Sequence, residues 1–164
     1  MLIRAGLRWA LMVMLALLTA CGSPVLLKDA ASAKGSYWQG RLSVKVFSKP
    51  VQAFSANFEL QGKPAQGELV LTSPLGSTLA HMRWDDHSAT LQANGEERHF
   101  DSIQALAQQV TGADLPVASL FAWLQGVNEV APGWQADLQE LSIGRISAQH
   151  IEDVQAELKI ILDR

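Results

Sequence analysis

From Trp38 onward the chain alternates. Trp38, Gly40, Leu42, Val44 and Val46 share one parity, with Gln39, Arg41, Ser43 and Lys45 on the other. Phe54, Ala56, Phe58 and Leu60 then alternate with Ser55, Asn57 and Glu59. Successive side chains of an extended backbone leave opposite sides, so a period of two with one apolar face predicts half-buried antiparallel strands. Residues 67–72, 79–84 and 89–93 continue the pattern, separated by Ser73-Pro74-Leu75-Gly76 and by Asp85-Asp86-His87. Asn94-Gly95 predicts a tight hairpin between two short strands, because both residues accept positive φ.

After Phe100 the period changes. Asp101 or Ser102 can cap a helix whose stripe is Ile103, Leu106, Ala107 and Val110, with Gly112 suited to the position just past its end. Leu115-Pro116-Val117 opens a second short helix carrying Leu120, Phe121, Trp123 and Leu124, and Gly126 ends it. Pro132-Gly133 is a turn, and strands resume at Trp134. The last strand sets Ala156, Leu158, Ile160 and Leu162 against Glu157, Lys159, Ile161 and Asp163. The expected order is about six strands, two helices and about three more strands. An antiparallel sheet of that size must curl or close. The expected class is therefore mainly β (α+β), with a helical insertion at about 101–126 lying on the concave face. Periodicity leaves open whether these helices complete the core or roof a hollow that takes a ligand.

Before Trp38 the pattern is of another kind. Arg4 and Arg8 precede an apolar segment, Trp9 to Leu18, too short for a membrane span. Charge, apolar core and small residues in that order make a secretory signal. Leu18-Thr19-Ala20-Cys21 resembles a bacterial lipobox, which implies cleavage before Cys21 and acylation of its thiol; the other reading is a plain signal peptide with a chance cysteine. The expected organisation is a signal peptide at 1–20, a lipidated cysteine and tether at 21–36, and one domain at 37–164. One myristoyl chain binds membranes only reversibly, so a lasting anchor needs two or three chains. Gly22, where enterobacterial sorting rules would place Asp for retention, favours the outer membrane.

Losing Arg4 and Arg8 from the 13 basic residues leaves 11 against 16 acidic ones, a formal charge of −5. With no basic run, such a surface does not suit nucleic acid. One cysteine forms no internal disulfide. His81, His87, His99 and His150 show no metal-ligand spacing, and no Gly-x-Ser-x-Gly elbow is present. Asp85 and Asp86 are neighbours on an extended chain and point apart, as a solvated turn does. Neither an enzyme nor a cofactor or metal is expected. Trp38, Trp84, Trp123 and Trp134 suit core packing or a lipid-facing wall alike.

Three segments carry a resemblance. They are Gly40-Arg41-Leu42, then Leu71-Thr72-Ser73-Pro74-Leu75-Gly76-Ser77-Thr78, and then Thr111-Gly112-Ala113-Asp114-Leu115-Pro116-Val117 running on to Trp123-Leu124-Gln125-Gly126 and Gly133-Trp134. In order and spacing the chain resembles the outer-membrane lipoprotein receptor family LolB. The resemblance implies an unclosed β-barrel with a helical lid over an apolar cavity. It further implies a lipid-anchored protein on the periplasmic face of the outer membrane, working as a monomer. Its partners would be the periplasmic carrier LolA, the acyl chains of cargo lipoproteins and outer-membrane lipid, with cargo passed on without ATP. Leu75, at a turn shaped by Pro74 and Gly76, would be the membrane-inserting residue; read from the turn alone, it is a small packing contact. Candidate cavity residues are Leu42, Val44, Phe54, Phe58, Trp84 and Leu91 from the strands, with Leu106, Val110, Leu120 and Trp123 from the lid. Each could equally be ordinary core. The competing functions are a scaffold lipoprotein of the envelope and an exported hydrolase.

Overall fold

The computed structural model describes residues 36–111, 115–152 and 155–163. The expected signal peptide, Cys21, most of the tether and Gly112 lie outside the described residues. Nine strands form one sheet: β1 Ser36–Val46, β2 Gln52–Lys63, β3 Gln66–Thr72, β4 Thr78–Trp84, β5 Ala89–Ala93, β6 Glu96–Phe100, β7 Trp134–Asp137, β8 Arg145–His150 and β9 Ala156–Leu162. Their order is β6-β5-β4-β3-β2-β1-β9-β8-β7, with every neighbouring pair antiparallel. No ladder joins β6 to β7 among the described residues, so the sheet curls without closing, as expected. In the chain, the two helices α1 (Ile103–Thr111) and α2 (Val117–Leu124) come between these two edge strands. β1 starts at Ser36 and β2 extends over Gln52–Lys63, both longer than their alternation alone indicates.

Local chemistry explains the corners. Asn94 (φ 53°) and Gly95 (φ 79°) both take the left-handed conformation that a tight β5–β6 turn needs. Ser102 caps α1, its Oγ accepting from the Ala105 N–H at 3.1 Å. Pro116 starts α2, where a missing N–H costs no hydrogen bond, and its carbonyl accepts from Leu120 N at 2.8 Å. Gly40 has a different duty. A Cβ there would run into the Ile161 carbonyl of β9, so only glycine lets β1 and β9 pair this closely.

Where a strand has an apolar parity, that parity faces inward. Ala56, Phe58 and Leu60 of β2, Ala80, Met82 and Trp84 of β4, Ala89 and Leu91 of β5, and Ala156, Leu158 and Ile160 of β9 are buried on one side. The opposite parity, including Arg41, Lys45, Glu59 and Arg83, is exposed. Both helices lie on the buried side with their apolar stripes inward. The register sorts the connections onto two ends: hairpins β1–β2, β3–β4 and β5–β6 stand at one, β2–β3 and β4–β5 at the other.

Candidate functional site

Between the sheet and the two helices lies a hollow of about 490 Å³. Volumes of ~300–1,000 Å³ are usual for sites that enclose a small ligand. The wall is hydrocarbon: β1 contributes Leu42 and Val44, β2 Phe58, β3 Leu71, β4 Met82, and β9 Leu158 and Ile160. The whole predicted stripe of α1 (Ile103, Leu106, Ala107, Val110) looks into it from above. Among the described residues, polar side chains enter the lining at Gln52, Arg98 and Gln109, and all three are exposed.

One end is sealed by aromatic packing. Phe121 of α2, only 2% exposed, meets Trp38 edge-on at 5.6 Å between ring centres and Trp84 at 6.3 Å. Such pairs contribute ~0.5–1.5 kcal/mol each beyond the area they bury. The Trp84 indole is fixed in turn, donating to the Pro64 carbonyl at 2.9 Å. Gly67, opposite Trp84 in the β3–β4 register, leaves the space that the indole fills. At the other end the lining emerges into solvent: Phe54 is 43% exposed, Val110 45% and Leu79 36%. Phe54 and Leu79 stand near the starts of β2 and β4, beside the β1–β2 and β3–β4 hairpins. The hollow therefore opens at the end that carries those hairpins.

Nine of the ten candidate cavity residues line this hollow: Leu42, Val44, Phe54, Phe58, Trp84, Leu91, Leu106, Val110 and Leu120. Trp123 does not. It packs into the core behind α2, 1% exposed, with its indole N–H donating to the Glu129 carbonyl at 2.8 Å. Phe121 takes the position proposed for it, along with Val117, Leu120 and Leu124. Those residues stand at i, i+3, i+4 and i+7, the spacing of one helix face, and Trp123 lies off that face. Helical arithmetic applied within α2 would have found the difference. Leu60, Leu69, Leu71, Ala80, Met82, Leu158 and Ile160 also line the hollow, and the parity of their strands points to them. Arg98 carries no such signal, since β6 has no apolar parity; its inward direction follows from pairing with Leu91.

The Ser73–Ser77 connection is built by its own hydrogen bonds. Gly76 N donates to the Ser73 carbonyl at 2.9 Å, Ser77 N to Ser73 Oγ at 3.2 Å, and Ser73 N to the Ser77 carbonyl at 2.8 Å. Gly76 adopts φ 85°, giving a three-residue turn that ends on a left-handed residue. With the backbone locked in this way, Leu75 stands at the tip, 95% exposed and without packing contacts to hide it. It is not the small packing contact that the turn alone suggests.

Several of the groups weighed for other chemistry have structural partners. His81 Nε2 meets Glu68 Oε1 at 2.5 Å on the outer face, His99 reaches Glu97 at 3.4 Å, and His150 packs on Trp134. Asp85 Oδ1 accepts from the His87 and Ser88 backbone N–H groups at 2.8 and 2.9 Å. These bonds, the one from His87 foremost, hold its carboxyl below the usual carboxylate range. Among the described residues no helix is long and apolar enough to cross a membrane.

Comparison with known proteins bears on the same region. Residues 37–157 match the family described as "Outer membrane lipoprotein LolB". A protein of Chromobacterium violaceum named outer-membrane lipoprotein LolB is 36% identical over 134 residues, covering 77% of this chain and 71% of that protein. A protein of the same name from Shewanella baltica is 33% identical over 113 residues, covering 69% of this chain. The aligned region spans about half (50%) of the Shewanella protein's own length.

Proposed function

Because the chain belongs to the LolB family of outer-membrane lipoproteins, we propose that its hollow is a transit site for the acyl chains of other lipoproteins. The protein is a lipid-anchored outer-membrane lipoprotein that acts in lipoprotein localisation, and its family is one of receptors rather than enzymes. In the proposed cycle the hollow accepts acyl chains from the periplasmic carrier LolA and releases them into the outer membrane without ATP. The signal peptide is removed before Cys21, whose own acyl chains hold the domain at its workplace.

The composition of the wall carries this reading. An acyl chain of about fifteen methylenes gains roughly 12 kcal/mol on leaving water, so it must travel between apolar enclosures with little exposure. A wall of Leu, Val, Phe and Met holds hydrocarbon without fixed polar contacts, and therefore discriminates little among chains that differ elsewhere. The sequence has no phosphate-binding Gly-Lys-Ser/Thr loop to drive a cycle. Direction then comes from affinity: the carrier's pocket holds the chain less well than this hollow, and the bilayer holds it better. Leu75, beside the opening and bare of contacts, enters the bilayer surface and sets the release step there.

The test mixes carrier loaded with labelled lipoprotein and the unlipidated protein (residues 22–164) in the absence of nucleotide. Cargo is expected to move to the receptor and stay soluble until vesicles are added. Cargo that remains on the carrier sinks the transit reading and leaves a scaffold role in its place.

A further inference from the structure

The β1–β2 hairpin stands at the open end beside the Leu75 loop, and its chemistry differs from the rest of the surface. Between the strands the chain reads Phe47-Ser48-Lys49-Pro50-Val51. Phe47 is 47% exposed and Val51 55%. Lys45 places its ammonium 4.8 Å from the centre of the Phe47 ring. Glu157 is its cross-strand neighbour, but that carboxylate is held by Lys159 at 2.8 Å. Among the described residues neither Lys45 nor Lys49 is engaged in an ion pair.

Charge is distributed unevenly around this end. From Tyr37 to Phe58, and again from Leu69 to Trp84, the sequence has no Asp or Glu, although acidic residues outnumber basic ones 16 to 13 overall. Of the described carboxylates at the open end, Glu96 and Glu97 after the β5–β6 turn and Glu152 after β8 sit on the flanks, while Glu157, beside Lys45 on β9, is neutralised by Lys159. The two central hairpins thus present apolar tips, and the first adds two lysines.

Apolar side chains flanked by ammonium groups suit the boundary between lipid headgroups and acyl chains, where the lysines meet phosphates. Carboxylates on the flanks are repelled by the same surface. We propose that the β1–β2 hairpin is a second membrane contact, seating Phe47 and Val51 in an anionic phospholipid surface with Lys45 and Lys49 on its phosphates. The inference rests on the reading above only in taking the bilayer as the place of delivery. One contact at Leu75 leaves the domain free to swivel about it, whereas two neighbouring hairpins fix the opening against the lipid.

The experiment uses the full lipidated protein, in which Cys21 is taken by its acyl group. A polarity-sensitive fluorophore is attached to one added cysteine, at Val51→Cys, Leu75→Cys or Ala65→Cys, the last on the β2–β3 hairpin at the opposite end. Each is reconstituted in vesicles of phosphatidylethanolamine with phosphatidylglycerol, or of phosphatidylcholine alone. Emission from V51C is expected to shift to the blue on phosphatidylglycerol vesicles while A65C stays aqueous. Adding Lys45→Gln and Lys49→Gln should lower the hairpin's partitioning by roughly 25-fold, about five-fold per lysine. An aqueous V51C with a shifted L75C overturns this inference and spares the Leu75 reading; the converse spares the hairpin and overturns Leu75. A V51C shift that persists on phosphatidylcholine and ignores the lysine changes overturns the anionic surface. A V51C signal that moves only when loaded carrier is added assigns the hairpin to the protein partner and overturns the membrane contact.

Discussion

The two ends of the sheet are made from the same alternating strands, yet they treat apolar side chains in opposite ways. At the closed end Trp38, Phe121 and Trp84 interlock, and the Trp84 indole N–H is tied to Pro64. The turn beyond it is polar, with Asp85 holding its own backbone. At the open end Phe54, Leu79 and Val110 run out into solvent, and Leu75 has no cover at all. Burying a leucine or phenylalanine stabilises a fold by ~1.5–3 kcal/mol, so the closed end holds the domain together and the open end leaves that stabilisation unused. Under the proposed transit role the two ends divide the work: an aromatic seal defines the hollow, and an uncovered apolar rim is left for contacts supplied by something else.

The closed end should be the sensitive one. Phe121→Ala empties the centre of the aromatic seal and is expected to cost ~3–5 kcal/mol, measured by denaturant unfolding. A cost below ~1 kcal/mol would mean the seal is dispensable and the contrast between the ends false. Gly67→Ala is the next test. Its Cβ would lie 2.5 Å from the Trp84 ring and 2.7 Å from the Gln61 carbonyl, so ring and strand must both shift. A loss of ~1–3 kcal/mol is expected, with a change in near-ultraviolet circular dichroism as the tryptophan moves. An unaltered spectrum at full stability would show that Trp84 is not held as described.

On β1, β2 and β9 an apolar parity could be read from the sequence, because one face is nearly all apolar and a slip of one residue would expose it, but that this parity faces a hollow was not in the pattern. The helical insertion was legible for a similar reason: the Ile103, Leu106, Ala107 and Val110 stripe has the right period and all four residues meet the hollow. Other features depend on register across many strands, which no local pattern carries. Nothing in the alternation says that Phe54 and Leu79 come to the open end while Phe58 and Met82 lie deeper. Phe47 and Val51 fell in the gap between two recognised strands, where exposure depends on how far the hairpin projects. By sequence Trp123 groups with the lid residues as a cavity candidate, with ordinary core the other reading, and its indole N–H donates to the Glu129 carbonyl, off the hollow.

At the open end the expectation reverses. Leu75→Glu removes an apolar side chain that touches nothing, so stability should change by no more than ~0.5 kcal/mol. Delivery of lipoproteins into vesicles should nevertheless fall sharply, while uptake from the carrier is unchanged. Uptake and delivery are to be measured separately with one labelled cargo. Equal loss of both would place Leu75 at carrier docking instead of release, and loss of neither would leave its exposure without a role.

The smallest effect belongs to the polar turn of the closed end. Asp85 is fully exposed, and its carboxylate accepts from two backbone N–H groups that its protonated form would hold less well. Its folded pKa lies below the unfolded value, so it stabilises the fold fully above the ordinary carboxylate range. That contribution fades as pH falls through the range and is gone below the folded pKa. Asp85→Asn keeps the shape but not the charge. Its loss of stability should be present at neutral pH and shrink as the wild type is titrated toward acid. The two stability curves should converge there, because both chains then carry a neutral side chain at the turn. A gap that stays constant with pH would assign the effect to side-chain geometry rather than charge. Solvent screens a group this exposed, so the gap is expected to be the smallest of these effects. The turn would then be a local clamp on β4 and β5, with the stability of the closed end resting on its aromatic seal.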